Sequence, residues 1–297
     1  MISQPGLYTI PMAEYLADPC ETPSLTASIA NTLLTRSPAH ARMQHPRLFA
    51  GFEREDDSRF ELGSAAHALL LEDDGGAIEF IAANDWRTNA AKDARNAARA
   101  AGKLPVLSRY EGVLTQMVKV AREAIERSEF IGIWSQGKPE QTMVWQEDGV
   151  WLRARPDFMR ADRTVIIDYK TSDSAEPEFF IRQIGRMGYD VSAAFYVRGV
   201  DALPPTNDGA TQDHNGQAYP AYVWLAQEIE PPFACSLVTL GKAYLEIADE
   251  KVDRAIALWR MCLASDKWPA YSLSLHYAEP SSWQMSEFEA RMNREEW

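Results

Sequence analysis

Cysteine is scarce in this chain. Its 297 residues include three, Cys20, Cys235 and Cys262, odd in number and far apart. No Cys-x-x-Cys pair exists, which argues against a four-cysteine zinc or iron–sulfur site. A disulfide framework is equally unsupported, in keeping with a reducing cytoplasm. Positive charge is short as well: 30 Lys and Arg face 43 Asp and Glu, a formal net charge of -13. A protein that holds nucleic acid by electrostatics alone leans basic, so any DNA contact here has to be local. A carboxylate cluster holding divalent cations would account for part of the acidity; a solvated surface accounts for the rest. Long apolar runs are missing too. No stretch approaches the roughly 18 residues that span a membrane. The N-terminal MISQPGLYTIPMAEYL lacks the basic and apolar regions of a secretory signal. The expectation is a cytoplasmic protein with no membrane partner.

What is present is an ordinary globular composition, 46% hydrophobic and 25% charged. The first half reads as helices: Ser24 to Arg36, with Pro38 as its stop; Leu62 to Glu72, ended by Asp73-Asp74-Gly75-Gly76; the Ala-rich stretch 89–101; and Ser108 to Arg127. Strands follow. Thr142 to Gln146 and Val150 to Arg155 form a hairpin around Glu147-Asp148-Gly149, and Thr164 to Thr171 is a third strand. Pro177 opens a helix that runs to about Arg198. A loop over Asp201 to Pro220 leads to strands at Ala221 to Gln227 and Cys235 to Leu240, then to a helix from Gly241 to Ala264. With no repeat and no linker, 1–297 reads as one α/β domain: a small mixed sheet flanked by helices, with a helical N-terminal portion.

Chemistry concentrates between Glu140 and Thr171. Asp157 follows Pro156 at the end of one strand; Asp168 and Lys170 lie two apart on the next. The period of two puts Asp168 and Lys170 on one face and Val165, Ile167 and Tyr169 on the other. Asp157 reaches the first face if the turn at Ala161-Asp162-Arg163 pairs the two strands. Carboxylate oxygens suit Mg²⁺ or Mn²⁺, and an ammonium beside them suits charge developing on a phosphoryl group. A D-x-K triplet alone is more often a surface ion pair. Here it follows the apolar run Val165-Ile166-Ile167, where buried charge is costly unless used.

Arg-Pro-Asp followed by Ile-Ile-Asp-Tyr-Lys-Thr-Ser resembles the PD-(D/E)XK nuclease superfamily, and more narrowly the RecE-type exonucleases (exonuclease VIII) of bacteria and their phages. Thr35-Arg36-Ser37-Pro38-Ala39-His40, Leu62-Gly63-Ser64-Ala65-Ala66-His67 with Leu71-Glu72, Asp85-Trp86-Arg87-Thr88 and Lys267-Trp268-Pro269-Ala270-Tyr271 match that family in order. The resemblance spans about 24–275 and leaves 1–23 and 276–297 peripheral. It implies a restriction-endonuclease-like core. Asp157, Asp168, His67 and the Tyr169 backbone carbonyl would hold one or two Mg²⁺ or Mn²⁺ ions, with Lys170 catalytic and Glu140 the upstream acid. It further implies double-stranded DNA with an end as substrate, a homo-oligomer, a single-strand annealing protein as partner, and a bacterial host cytoplasm.

One departure stands out. Relatives carry Gln-x-x-x-Tyr on the helix after the lysine strand; here Ser192 takes the place of Gln while Tyr196 remains, and Gln183 and Tyr189 are mis-spaced. Ser192 and Tyr196 are therefore read as DNA-contacting positions of altered chemistry. Arg153 and Arg155 are candidates for phosphate contact, since a guanidinium forks onto two oxygens, as are Arg182 and Arg186. The pairs Trp145/Trp151 and Tyr222/Trp224 read as core rather than base-stacking surfaces. The expected activity is a metal-dependent exonuclease that leaves single-stranded overhangs for recombination. The alternatives are an endonuclease or structure-specific enzyme on the same core, and a catalytically weak DNA-binding adaptor.

Overall fold

A computed structural model of the chain describes residues 1–49, 51, 61–71, 78–204 and 221–293. Strand β1 (Gly6–Tyr8) and the short helix α1 (Met12–Leu16) precede α2 (Ala27–Thr35). Thr26 caps α2, its hydroxyl accepting from the Ile29 N–H. Pro38 does not simply stop that helix: Ser37 caps a new one, α3 (Pro38–Met43), with Pro38 at its first turn, where a missing N–H costs nothing. Helix α4 (Glu61–Leu71) carries His67, and β2 (Ile78–Ile81) follows. The Ala-rich segment is α5 (Asn89–Ala100), capped by Thr88; β3 (Leu104–Leu107) pairs in parallel with β2. Helix α6 (Glu111–Glu126) ends the N-terminal half.

The strands then come in quick succession: β4 (Gly137–Pro139), β5 (Thr142–Glu147), β6 (Val150–Ala154), β7 (Phe158–Arg160) and β8 (Val165–Ser172). The expected hairpin is β5–β6. Asp148 and Gly149 both take positive φ, 50° and 76°, the geometry a two-residue turn between twisted strands requires. The expected single helix after β8 is two: α7 (Pro177–Met187) and α8 (Tyr189–Asp201). Gly188 breaks it, at φ +72°, and any Cβ there would lie 2.3 Å from the Asn31 side chain. Gly188→Ala should therefore destabilise the fold by about 1–3 kcal/mol, read as a lower urea midpoint; an unchanged midpoint would contradict this account. The loop read over 201–220 lies mostly outside the described residues, as do Glu72 and the stop at 73–76. Strands β9 (Ala221–Glu228) and β10 (Cys235–Thr239), then helices α9 (Lys242–Ser265) and α10 (Ser282–Asn293), complete the described chain.

The expected mixed sheet has the order β10-β9-β8-β7-β4, with β8–β9 parallel and the other pairings antiparallel. The parallel pair is joined by the α7–α8 crossover, as parallel strands must be. The hairpin belongs to a separate sheet, β1-β5-β6. Alternation along β8 splits the core as the sequence predicts. Val165, Ile167 and Tyr169 pack with Leu225, Met117 and Leu70 against α4 and α6, while Ile166 packs with Trp224, Phe195 and Trp259 against α8 and α9. Trp145, Trp151, Tyr222 and Trp224 are all buried, so their role is packing.

The N-terminal residues are not peripheral. β1 extends the hairpin sheet, pairing with β5, and Asp18 beneath it is fully enclosed. Its carboxylate meets Arg153 at 2.9 Å and His45 at 3.0 Å, and accepts from the Ser24 N–H and hydroxyl at 3.0 and 2.7 Å. Burial alone would raise the Asp18 pKa. The His45 contact, the Arg153 charge and the Ser24 bonds outweigh it and hold the carboxyl at about 2. A depressed folded pKa gives stability that is whole above the unfolded value near 4 and is lost as pH falls toward 2. The shift is worth about 2 kcal/mol. Asp18→Asn should flatten that part of the stability–pH curve between pH 4 and 2; a curve as steep as wild type would contradict the assignment.

Candidate active site

The pairing Phe158↔Ile167 and Met159↔Ile166 joins β7 to β8 through the turn at 161–163. Continued by one residue, this register sets Asp157 opposite Asp168, and directly opposed residues of antiparallel strands share a face. Asp157 Oδ2 accepts the Tyr169 N–H at 2.8 Å. In a strand the N–H and C=O of one residue point to the same edge, so the Tyr169 carbonyl faces the Asp157 side as well. The rest of Tyr169 is an anchor. Its hydroxyl donates to Gln227 at 2.6 Å, and the Gln227 amide donates to the Met117 and Phe233 carbonyls at 2.9 and 3.2 Å.

Two more groups converge on Asp157. From α4, His67 Nε2 stands 3.1 Å from Asp157 Oδ1 and 3.6 Å from Glu140 Oε1. Glu140 lies between β4 and β5 with φ +54°, a conformation a non-glycine residue rarely adopts. Its N–H donates to the Asp157 carbonyl at 3.1 Å, and its carboxylate receives the Arg155 Nε at 2.5 Å. Strain of this kind persists where surrounding bonds enforce it, and it clusters at functional sites. Donor atoms of His67, Glu140 and Asp157 all lie within 4.8 Å of one another. One imidazole nitrogen and two carboxylates are a ligand set for a divalent cation, and the chemistry of the donors present fits one.

Asp168 and Lys170 sit beside this cluster, with Nζ and Oδ2 2.6 Å apart. The electrostatics favour a bound cation. Burial pushes the Asp168 carboxyl up and the neighbouring Asp157 pushes it further, while Lys170 opposes both. Burial acts the same way on Asp157, but Lys170, His67 and the Tyr169 N–H outweigh it and hold that carboxyl below its usual range. Burial lowers the His67 pKa; Asp157 and Glu140 more than reverse this. Lys170 is likewise raised by Asp168 and Asp157 against burial. The carboxylates thus draw positive charge onto His67 and Lys170, as they would draw a metal ion.

The structure brings together Asp157, Asp168, Lys170, His67, Glu140 and Tyr169. Ser192 and Tyr196 also border the site, lining a cleft with Asp168 and Lys170. Two expectations are corrected. Arg153 is 3% exposed and committed to Asp18 and Ser24, so its guanidinium is not available to a phosphate. Arg155 is largely buried too, its Nε on Glu140 and its Nη1 on the Ile10 carbonyl at 2.8 Å and the Thr142 hydroxyl at 3.2 Å; it orients Glu140. Arg182 and Arg186 are exposed on α7. Sequence reasoning set Tyr189 aside as mis-spaced, yet its ring centre is 5.8 Å from Lys170 Nζ, and it missed Asn31 and Gln44, which line the same cleft. The signal for Tyr189 was Gly188, a left-handed helix end that changes which residues face β8.

Comparison with known proteins bears on the family and the fold. The family model for a PDDEXK-like domain of unknown function (DUF3799) matches residues 32–279. None of the curated proteins matches in sequence. Among solved structures, a protein of Eubacterium rectale named provisionally as an exonuclease superposes with a TM-score of 0.57 at 13% identity, over 95% of this chain and 99% of that one. A phage-related exonuclease from Haemophilus somnus is 11% identical over 68% of this chain and 95% of its own, with a TM-score of 0.29, too low to carry an argument. No helix among the described residues is long and apolar enough to cross a membrane. With the family model covering most of its length and a shared fold across nearly all of it, the chain belongs to the PDDEXK-like family.

Proposed function

We propose that the protein is a metal-dependent DNA nuclease, an exonuclease that degrades one strand of linear duplex DNA and leaves single-stranded overhangs for recombination. The observation that carries the reading is the convergence of His67, Glu140 and Asp157 donor atoms within 4.8 Å, next to the Asp168–Lys170 pair. Asp157, Asp168, His67 and the Tyr169 carbonyl are the proposed holders of Mg²⁺ or Mn²⁺, and the geometry favours adding Glu140 to them. A divalent cation in such a site supplies Lewis acidity toward a phosphoryl oxygen and makes a water more acidic.

The chain's own groups do the rest. Lys170 places a fixed ammonium beside the carboxylates, where it meets negative charge that grows on the phosphoryl group. Arg155 and the strained backbone at Glu140 hold that carboxylate in place, so no reorganisation is needed when substrate arrives. Exclusion of Arg153 from the surface, together with a net charge of -13, favours DNA contact confined to the site. A homo-oligomer and a single-strand annealing partner are further proposals from the resemblance. Exposed Trp283 and Phe288 on α10, a helix with no buried residue, support a second copy; a monomeric mass in solution would count against it.

A circular and a linear form of one plasmid test the exonuclease reading. With Mg²⁺ the linear form should lose its ends and the covalently closed circle should survive. Cleavage of both at similar rates would replace the exonuclease with an endonuclease.

A further inference from the structure

We infer that the cleft beside Asp168 and Lys170 holds the nucleobase adjoining the bond to be cut, and that Gln44 and Asn31 read its edge. This rests on the nuclease reading and names the part of the substrate that the second half of the site takes.

Position comes first. Asp168 and Lys170 form one wall of the cleft, so a phosphodiester at those residues leaves a neighbouring base within reach of it. The cavity has a volume of about 320 Å³. That is the low end of the range for small-molecule pockets; it suits one unpaired nucleotide and excludes a duplex.

The chemistry of the walls selects the base over the phosphate. Lys170 is the one cation among the lining residues, and it is already paired with Asp168 at 2.6 Å. A phosphate pocket gathers guanidinium or ammonium groups. The rest of the lining is neutral and rich in hydrogen-bonding groups: Asn31, Thr32, Gln44 and Ser192. An amide offers donors and an acceptor on one plane, the complement of a base edge. The Gln44 amide is held at the cleft by the Thr32 hydroxyl, 2.8 Å from its oxygen, a hydroxyl that also lies 3.1 Å from the Ser28 carbonyl. Asn31 is held at the bend between α7 and α8, where Gly188 leaves no room for any other residue.

Tyr222 is 4% exposed and lines the cleft, its hydroxyl facing the Asp168 carboxylate. Tyr189 and Tyr196 add flat surface at the cleft, the usual companion of hydrogen bonding around an unstacked base.

The test uses the full chain without metal. Four deoxynucleosides and inorganic phosphate are titrated separately, followed by ligand-observed NMR. Deoxynucleosides should bind and inorganic phosphate should not. Gln44→Met, which keeps length and removes the amide, should weaken nucleoside binding at least about tenfold, and Asn31→Ala, run in parallel, should do the same. Phosphate binding in place of nucleoside binding, or nucleoside binding untouched in both folded variants, would overturn the inference. A second arm uses linear duplexes whose terminal nucleotide is normal or abasic. Wild type should cut the abasic end more slowly, and Gln44→Met should erase the difference; equal rates on both ends by wild type would overturn the inference. Loss of all cleavage would sink the nuclease reading instead, while the nucleoside titration would still decide the pocket.

Discussion

Lys170→Met should lower the rate of DNA cleavage about 10²–10³-fold, while binding to the same duplex changes far less. The lysine ammonium is 2.6 Å from Asp168 and is drawn there by two carboxylates. Its charge is positioned before substrate arrives, which is the condition under which a donor stabilises a transition state strongly. Methionine fills the same space without the charge. The nearly enclosed Asp168 would then lose its counter-charge, and burial beside Asp157 would favour its protonated form still more. Lys170→Arg should be poor too, since a planar guanidinium does not fit where a compact ammonium sat. Single-turnover cleavage and fluorescence anisotropy, measured on one preparation, separate the two effects. A variant that keeps more than about a tenth of the wild-type rate would remove Lys170 from the chemistry.

Arg153→Met should destabilise the fold by about 3–5 kcal/mol. The reason is Asp18, whose side chain has no exposed surface and would keep only Arg47, 3.5 Å away and 31% exposed, in place of an enclosed guanidinium. Removing the better partner of a buried pair leaves a poorly compensated charge, which costs far more than the pair itself contributes. The Arg153 guanidinium also packs 5.3 Å from the Tyr15 ring centre, so its loss opens space. The double variant Asp18→Asn/Arg153→Met should recover part of the loss, because both charges are then gone. Urea denaturation measures each step. A shift below about 1 kcal/mol for the single variant would mean that the pair is not structural. The folded fraction should bind DNA as wild type does, in contrast with the phosphate-contact role that the sequence suggested.

These two arginines mark where sequence reasoning reaches its limit. Asp157, Asp168 and Lys170 were legible because strand period and turn length are local properties, and β7 and β8 pair just as those properties require. The two-sided core followed from the same alternation along β8. Arg153 and Arg155 alternate with apolar residues in the way an exposed strand face does. Their partners, Asp18 and Ile10, lie more than a hundred residues away, and no local pattern announces them. Pro38 was read only as a stop, and Gly188 was passed over inside one long helix, for a different reason. Each can end one helix and begin another, and the local signal does not say which. The lining contributed by Asn31 and Gln44 was invisible because it depends on α2 packing against α3, α8 and α9. The segments carrying His40 and Tyr271 do meet, with rings 5.4 Å apart and the Ala39 N–H donating to the Pro269 carbonyl at 3.1 Å, so their joint match to one family had a physical basis.

The most direct measurement is digestion of an end-labelled linear duplex by wild type and by Asp168→Asn, each with Mg²⁺ and with a chelator. The account predicts release of label by wild type in Mg²⁺ alone, with the variant and both chelated samples leaving the duplex intact. An intact duplex with wild type in Mg²⁺ and again in Mn²⁺, or equal release by Asp168→Asn, would contradict it.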